Sequence, residues 1–149
     1  MKRLSAGAIV VLVLLASAAV AVPYARSVQA EHKLLRDHVD AFKAAPPWTA
    51  TSTPEECVGH AMAFGQDCPG LKQACSAAVP DMARTCAAEL DLTAWCAGHG
   101  DTIHTTAFGF EDCDTRLTEA GLVERADRRV PKKHCAASWR ALADICRAM

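Results

Sequence analysis

The stretch that decides the fold is TPEECVGHAMAFGQDCPGLKQACSAAVPDMARTC, residues 53–86. Thr53 stands before Pro54, and Glu56 follows three residues after Thr53. A threonine cap, a proline at the first helical position and a glutamate that reaches back to the cap together start a helix. From there Cys57, Ala61, Phe64 and Cys68 recur at i, i+4, i+7 and i+11, one face of that helix. Pro69-Gly70 then turns the chain ahead of Cys75.

The cysteine spacing carries the reading outward. Cys57 and Cys68, Cys75 and Cys86, and Cys135 and Cys146 are each eleven residues apart. Eleven residues at about 100° each bring a helix back to nearly the same face. The same eleven residues rise about 16 Å, whereas disulfide-bonded Cα atoms lie within about 7 Å. A pair on one helix therefore cannot bond to itself, and each member reaches another helix. This leaves roughly two thirds of the 105 pairings of eight cysteines. For the first four, the expected pattern is nested: Cys57 with Cys86 and Cys68 with Cys75, closing an antiparallel hairpin. That hairpin resembles the twin-cysteine hairpins of coiled-coil-helix proteins over about thirty residues. The gaps here are one residue longer and Pro80 is expected to interrupt the second helix, so the resemblance implies architecture alone.

The full set is Cys57, Cys68, Cys75, Cys86, Cys96, Cys113, Cys135 and Cys146. The even number and the absence of any Cys-x-x-Cys favour four disulfides over a redox pair, a zinc ribbon or attached haem. Ahead of them, Lys2 and Arg3 precede an uncharged apolar run over 4–22 with alanine-rich ends. That is the pattern of an export leader, cleaved as a signal peptide or retained as an anchor. Either way the rest of the chain is expected on the periplasmic or extracellular side, tethered by 4–22 if the leader stays.

Residues 1–30 thus read as signal peptide or membrane anchor, 31–52 as helical stalk and linker, and 53–149 as a cysteine-rich helical domain. Leu35, Val39 and Phe42 share a face over 31–45, and Pro46-Pro47 stops that helix. Further helices are expected over 53–67, 71–78, 80–97, from Asp114 to Gly121, and from Pro131 to the end. Gly121 with Leu122 folding back on Leu117 reads as a Schellman-type stop. No strand-like alternation persists. The expected fold is all-α, a small disulfide-stapled bundle of four to five helices preceded by an N-terminal hydrophobic helix.

Charge divides the chain. Residues 31–124 hold 6 basic and 15 acidic residues, a balance of −9, whereas 125–149 hold 7 basic and 2 acidic, a balance of +5. The basic tail is read as solvated or folded against the acidic body, with an anionic partner or membrane surface as the functional alternative. The run 116–129 resembles the helix end and wing of winged-helix repressors. It lacks the preceding helix-turn-helix, and an exported acidic chain does not suit nucleic acid as a partner.

The longest stretch without helical signal is 98–112, and it holds His99, Asp101 and His104. Two imidazoles and a carboxylate are donors for zinc or copper, so these three are the candidate metal ligands. His60 and Met62 beside Cys57 form a weaker copper set, because residues two apart face different sides of a helix. The domain departs from two exported families. Plant-type lipid-transfer proteins need adjacent cysteines, and secreted phospholipases need Cys-x-x-His-Asp where this chain has Cys96-Ala97-Gly98-His99-Gly100-Asp101. No catalytic or cofactor motif stands out, and no cofactor is expected. The reading is an exported binding or accessory module of the cell envelope with an unknown protein or envelope partner, in contact with the membrane through its N-terminal segment if that is uncleaved. Its rivals are a small metal-dependent or hydrolytic enzyme using 98–112, and a hydrophobic-ligand carrier with an apolar cavity among Phe64, Leu90, Trp95 and Trp139.

Overall fold

The computed structural model describes residues 6–149, with backbone alone for 6–16 and 18. The first helix, α1, is Ala6–Ala44, and it is followed by α2 (Pro54–Asp67) and α3 (Lys72–Ala87). Next come α4 (Thr93–His99), a 3-10 turn (Gly100–His104), α5 (Phe110–Glu119) and α6 (Arg125–Ala148). The described residues contain no strand, and the all-α disulfide-stapled bundle expected from the sequence is the fold found. The leader over 4–22 falls largely outside the residues whose side chains are described. Among the described residues, no helix is long and apolar enough to cross a membrane.

The start of α2 forms as its sequence dictates. Glu56 N–H donates to Thr53 Oγ1 at 3.2 Å, and Thr53 N–H donates to Glu56 Oε2 at 2.8 Å. Cys57 bonds Cys86 and Cys68 bonds Cys75, with Cα atoms 5.6 and 5.9 Å apart, so the nested hairpin is present. Pro80 does not interrupt it. Pro80 removes one helical N–H, but Cys75, Val79, Met82, Ala83 and Cys86 bury one continuous face. A bridge on each side of Pro80 pins that face to α2 and the turn before α3. The expected helix over 80–97 instead breaks after Ala87. Asp91 Oδ1 accepts from Thr93 N–H at 3.0 Å and starts α4 separately.

The second nest mirrors the first. Cys96 bonds Cys146 and Cys113 bonds Cys135, tying α4 and α5 to α6. All eight cysteines are bridged. Gly121 adopts φ +73°, Leu122 N–H donates to Leu117 O at 2.9 Å and Gly121 N–H donates to Thr118 O at 3.0 Å. This is the Schellman stop at the end of α5. The segment 116–129 is therefore a helix end, a stop and a new helix start.

Two apolar clusters meet along α6. Val58, Met62, Leu92, Leu117, Trp139 and Leu142 form one, and Phe64, Val79, Met82 and Ala141 form the other. Leu35, Val39 and Phe42 of α1 pack against the second, and His38 stacks on Phe64 at 4.7 Å. Trp48, in the segment that reads as linker, is 4% exposed and packs with Cys57 and Cys86. Burying a side chain of the size of Phe64 or Leu142 contributes about 1.5–3 kcal/mol. At Gly65 a Cβ would lie 2.5 Å from the His134 ring and 2.6 Å from Val79 Cγ2, so a glycine lets the helices close there.

These contacts fix direction. Running from Glu31 to Phe42, α1 passes Gly70, then Phe64, then Trp48, so it is antiparallel to α2. His134 meets Ser76 and Asp144 meets Arg84, so α6 runs parallel to α3. The N-terminal end of α6 and the departing N-terminal part of α1 lie at the same pole, beside the α2–α3 turn.

Candidate functional site

α6 starts at Arg125, six residues before the expected start at Pro131. Pro131 falls within its second turn, where one missing N–H is tolerated because the buried face from His134 to Ala143 holds the helix. The earlier start gathers scattered charges onto one surface. Arg125, Arg128, Arg129, Lys132 and Lys133 occupy the first three turns and line a groove of about 800 Å³. Phe110, Val123 and Ala136 supply its apolar lining, and Asp114 is the one carboxylate.

Asp114 is already occupied. Lys132 Nζ lies 2.8 Å and Arg128 Nη2 3.1 Å from its Oδ1. The hydrogen bond from Lys132, aided by both cationic charges, holds its carboxyl below the usual carboxylate range. Arg125, Arg129 and Lys133 are exposed and make no ion pair among the described residues. Cations three and four residues apart on a helix repel, and the positive end of the helix dipole adds to that. A bound anion would relieve that repulsion.

The groove continues along the helix. A second depression of about 460 Å³ is lined by Phe108, Phe110, His104, Arg140, Ala143 and Arg147. Phe110 belongs to both, so the ring stands between two basic depressions on the flank of α6. An aromatic cluster supports this wall. Trp95 stacks on Trp139 at 6.1 Å, and Phe108 meets both edge-on at 6.1 and 5.4 Å. Trp139 Nε1 donates to Asp112 at 2.8 Å, and Trp95 Nε1 donates to Glu55 at 2.8 Å. Burial pushes the Glu55 carboxyl up, but the hydrogen bonds from Trp95 and the backbone outweigh it, with help from nearby His99, and the net shift is downward. Gly109 has φ +77°, and a Cβ there would lie 2.3 Å from Trp139 Cγ. Only glycine fits both the left-handed backbone and the indole against it.

The expected metal ligands are not brought together. His99 packs edge-on between Trp95 at 4.6 Å and Phe108 at 5.2 Å, whereas Asp101 and His104 lie exposed in the 3-10 turn. His99 and His104 line separate depressions. Among the described residues no group of three His, Cys, Asp or Glu side chains is placed to hold a metal ion. The physical reason is that 98–112 is no open loop. Phe108 packs on Trp139 and holds His99 with it, leaving the exposed Asp101 and His104 in a 3-10 turn ahead of α5. His60 rests against Trp48, Met62 is buried and the Cys57 sulfur is in a disulfide. The proposed carrier residues are divided as well, with Phe64 in one cluster and Leu90, Trp95 and Trp139 in the other.

A buried histidine meets a half-buried serine where α6 runs along α3. His134 is 2% exposed, its Nε2 is 2.8 Å from Ser76 Oγ, and its Nδ1 has no protein partner. Burial, then the charge of Lys133, lowers the affinity of this imidazole for a proton. Comparison with protein-family models, curated proteins and solved structures finds no match.

The sequence shows the basic tail by composition but not as a site. Positions 125, 129, 132, 136, 140, 143 and 147 form a helical stripe only once the helix is known to begin at Arg125. The signal was this periodicity, and Pro131 concealed it.

Proposed function

We propose that the protein is an exported helical binding module, an accessory component of the cell envelope, that recognises an anionic partner through the basic groove along α6. Four disulfides in so small a helical domain suit an oxidising compartment, the periplasm or the cell exterior. The observation that carries the reading is the groove itself, with five cations crowded on one helix end and its single carboxylate neutralised from both sides. The aromatic wall and two bridges to α6 hold that surface rigid, which lowers the ordering cost of binding.

The test is thermal unfolding of the full chain with inorganic pyrophosphate, against sodium chloride of equal ionic strength. Pyrophosphate is expected to raise Tm beyond the salt control, and Arg125→Ala/Arg129→Ala/Lys133→Ala is expected to remove the difference. An equal rise in the parent chain and the variant would overturn the proposal.

A further inference from the structure

We infer that the anionic partner is a lipid bilayer, and that the basic end of α6 docks on phospholipid headgroups while α1 holds that pole of the bundle against them. The inference rests on the anion-binding reading of the groove and adds the source of the anions.

The first observation is placement. α1 leaves the bundle beside the α2–α3 turn, where a Cβ at Gly70 would lie 3.4 Å from the Glu31 carbonyl. From His134, level with Ser76 of α3, the helix extends back to Arg125 toward that same pole. Nine residues at about 1.5 Å each carry the cationic turns about 13 Å past His134. Residues 6–22 of the apolar stretch read from the sequence belong to the same α1 helix.

The second observation is reach. From residue 22 to residue 31, α1 rises about 13 Å. The headgroup layer fills about 5–7 Å of that if 4–22 lies in the hydrocarbon. The remaining gap is within a Debye length of about 8 Å, even before the advance of α6 is added. Arg26 is the sole charged residue over 17–30 and is cationic, and exposed Tyr24 stands two residues before it. Aromatic and basic residues at the end of an apolar segment are interfacial anchors.

The third observation is chemistry. Phe110, Val123 and Val130 are 43%, 74% and 47% exposed around the same cations. Cations set among exposed apolar side chains match an interface of anionic headgroups over acyl chains. With Glu124 and Asp127 included, residues 124–133 hold 5 basic and 2 acidic residues, a balance of +3.

The experiment uses the full chain reconstituted into vesicles of phosphatidylcholine alone, or of phosphatidylcholine with phosphatidylglycerol. The readout is amine labelling of Lys132 and Lys133, referenced to Lys43 near the far end of α1. Phosphatidylglycerol is expected to slow labelling of the pair about fivefold at low salt. High salt, or Arg125→Glu/Arg129→Glu, is expected to abolish that protection. Equal labelling in both vesicle types overturns the lipid proposal, as does protection that survives the double substitution. Dissolved pyrophosphate, added to the neutral vesicles, separates the two levels. Protection by pyrophosphate without protection by anionic lipid leaves the anion groove standing and removes the membrane as its partner. Protection by neither removes both.

Discussion

The α2–α3 hairpin and the α4–α6 half carry the same nested pair of disulfides but reach stability differently. The hairpin packs two helices of 14 and 16 residues, with bridges across separations of 29 and 7 residues. The other half hangs a 7-residue and a 10-residue helix on α6, with bridges across 50 and 22 residues. Short helices are marginal by themselves. They persist here because covalent closure and an aromatic wedge stand in for length. The hairpin is held by its periodic face, whereas the α4–α6 half depends on a few specific contacts.

Three measurements bear on that difference. Removing one bridge at a time should cost most where the closed stretch is longest, since the cross-link restricts the unfolded chain more. Loss of Cys96–Cys146 by paired alanine substitution is expected to cost about 4 kcal/mol, against about 2 kcal/mol for Cys68–Cys75, in chemical denaturation. A reversed order would show that the hairpin, not the α6 half, depends more on its staples.

Gly109→Ala is expected to cost about 2–4 kcal/mol, because it sets a Cβ against Trp139 at a left-handed position. The near-ultraviolet signal of the stacked tryptophans should fall with it. Gly98→Ala lies in α4 with nothing within 4 Å of the new Cβ and serves as the unstrained control. Equal losses at the two glycines would dissolve the argument for a wedge.

The third measurement concerns the seam between the halves. The buried imidazole of His134 binds a proton less readily in the folded chain than in the unfolded one. A group with a lowered folded value of this kind contributes stability that is present above its unfolded pKa of about 6.5 and is lost as pH falls toward the folded value. Tm is therefore expected to decline on acidification from pH 7, less steeply in His134→Gln. Parallel profiles for the two chains would remove His134 from the account.

How much of this was legible follows the same division. Thr53, Pro54 and Glu56 mark the start of α2 through local rules, and the eleven-residue cysteine spacing excludes same-helix bridges and makes the nested hairpin pair the expected one. The α6 half was harder to read because tertiary contacts overrode local signals. Pro80 and Pro131 are helix breakers in sequence, yet both lie inside helices that buried faces hold together. Gly109 looked like loop material among His99, Asp101 and His104, but its role is to admit the Trp139 ring, which no periodicity encodes. The cationic stripe was present as composition and became a surface only when Arg125 began a helix.

The nesting also dictates an order of events for oxidation. No bridge joins the first four cysteines to the last four, so a chain entering an oxidising compartment from its N-terminus can complete one set before Cys96 arrives. Within each set, however, neighbouring cysteines need not be partners. Cys57 and Cys68 meet first in sequence, yet α2 holds them about 16 Å apart once it has formed. Helix formation thus acts as the proofreader of pairing. A Cys57–Cys68 bridge formed before α2 closes must be reshuffled by thiol exchange, and the strong cap at Thr53 makes that detour rarer.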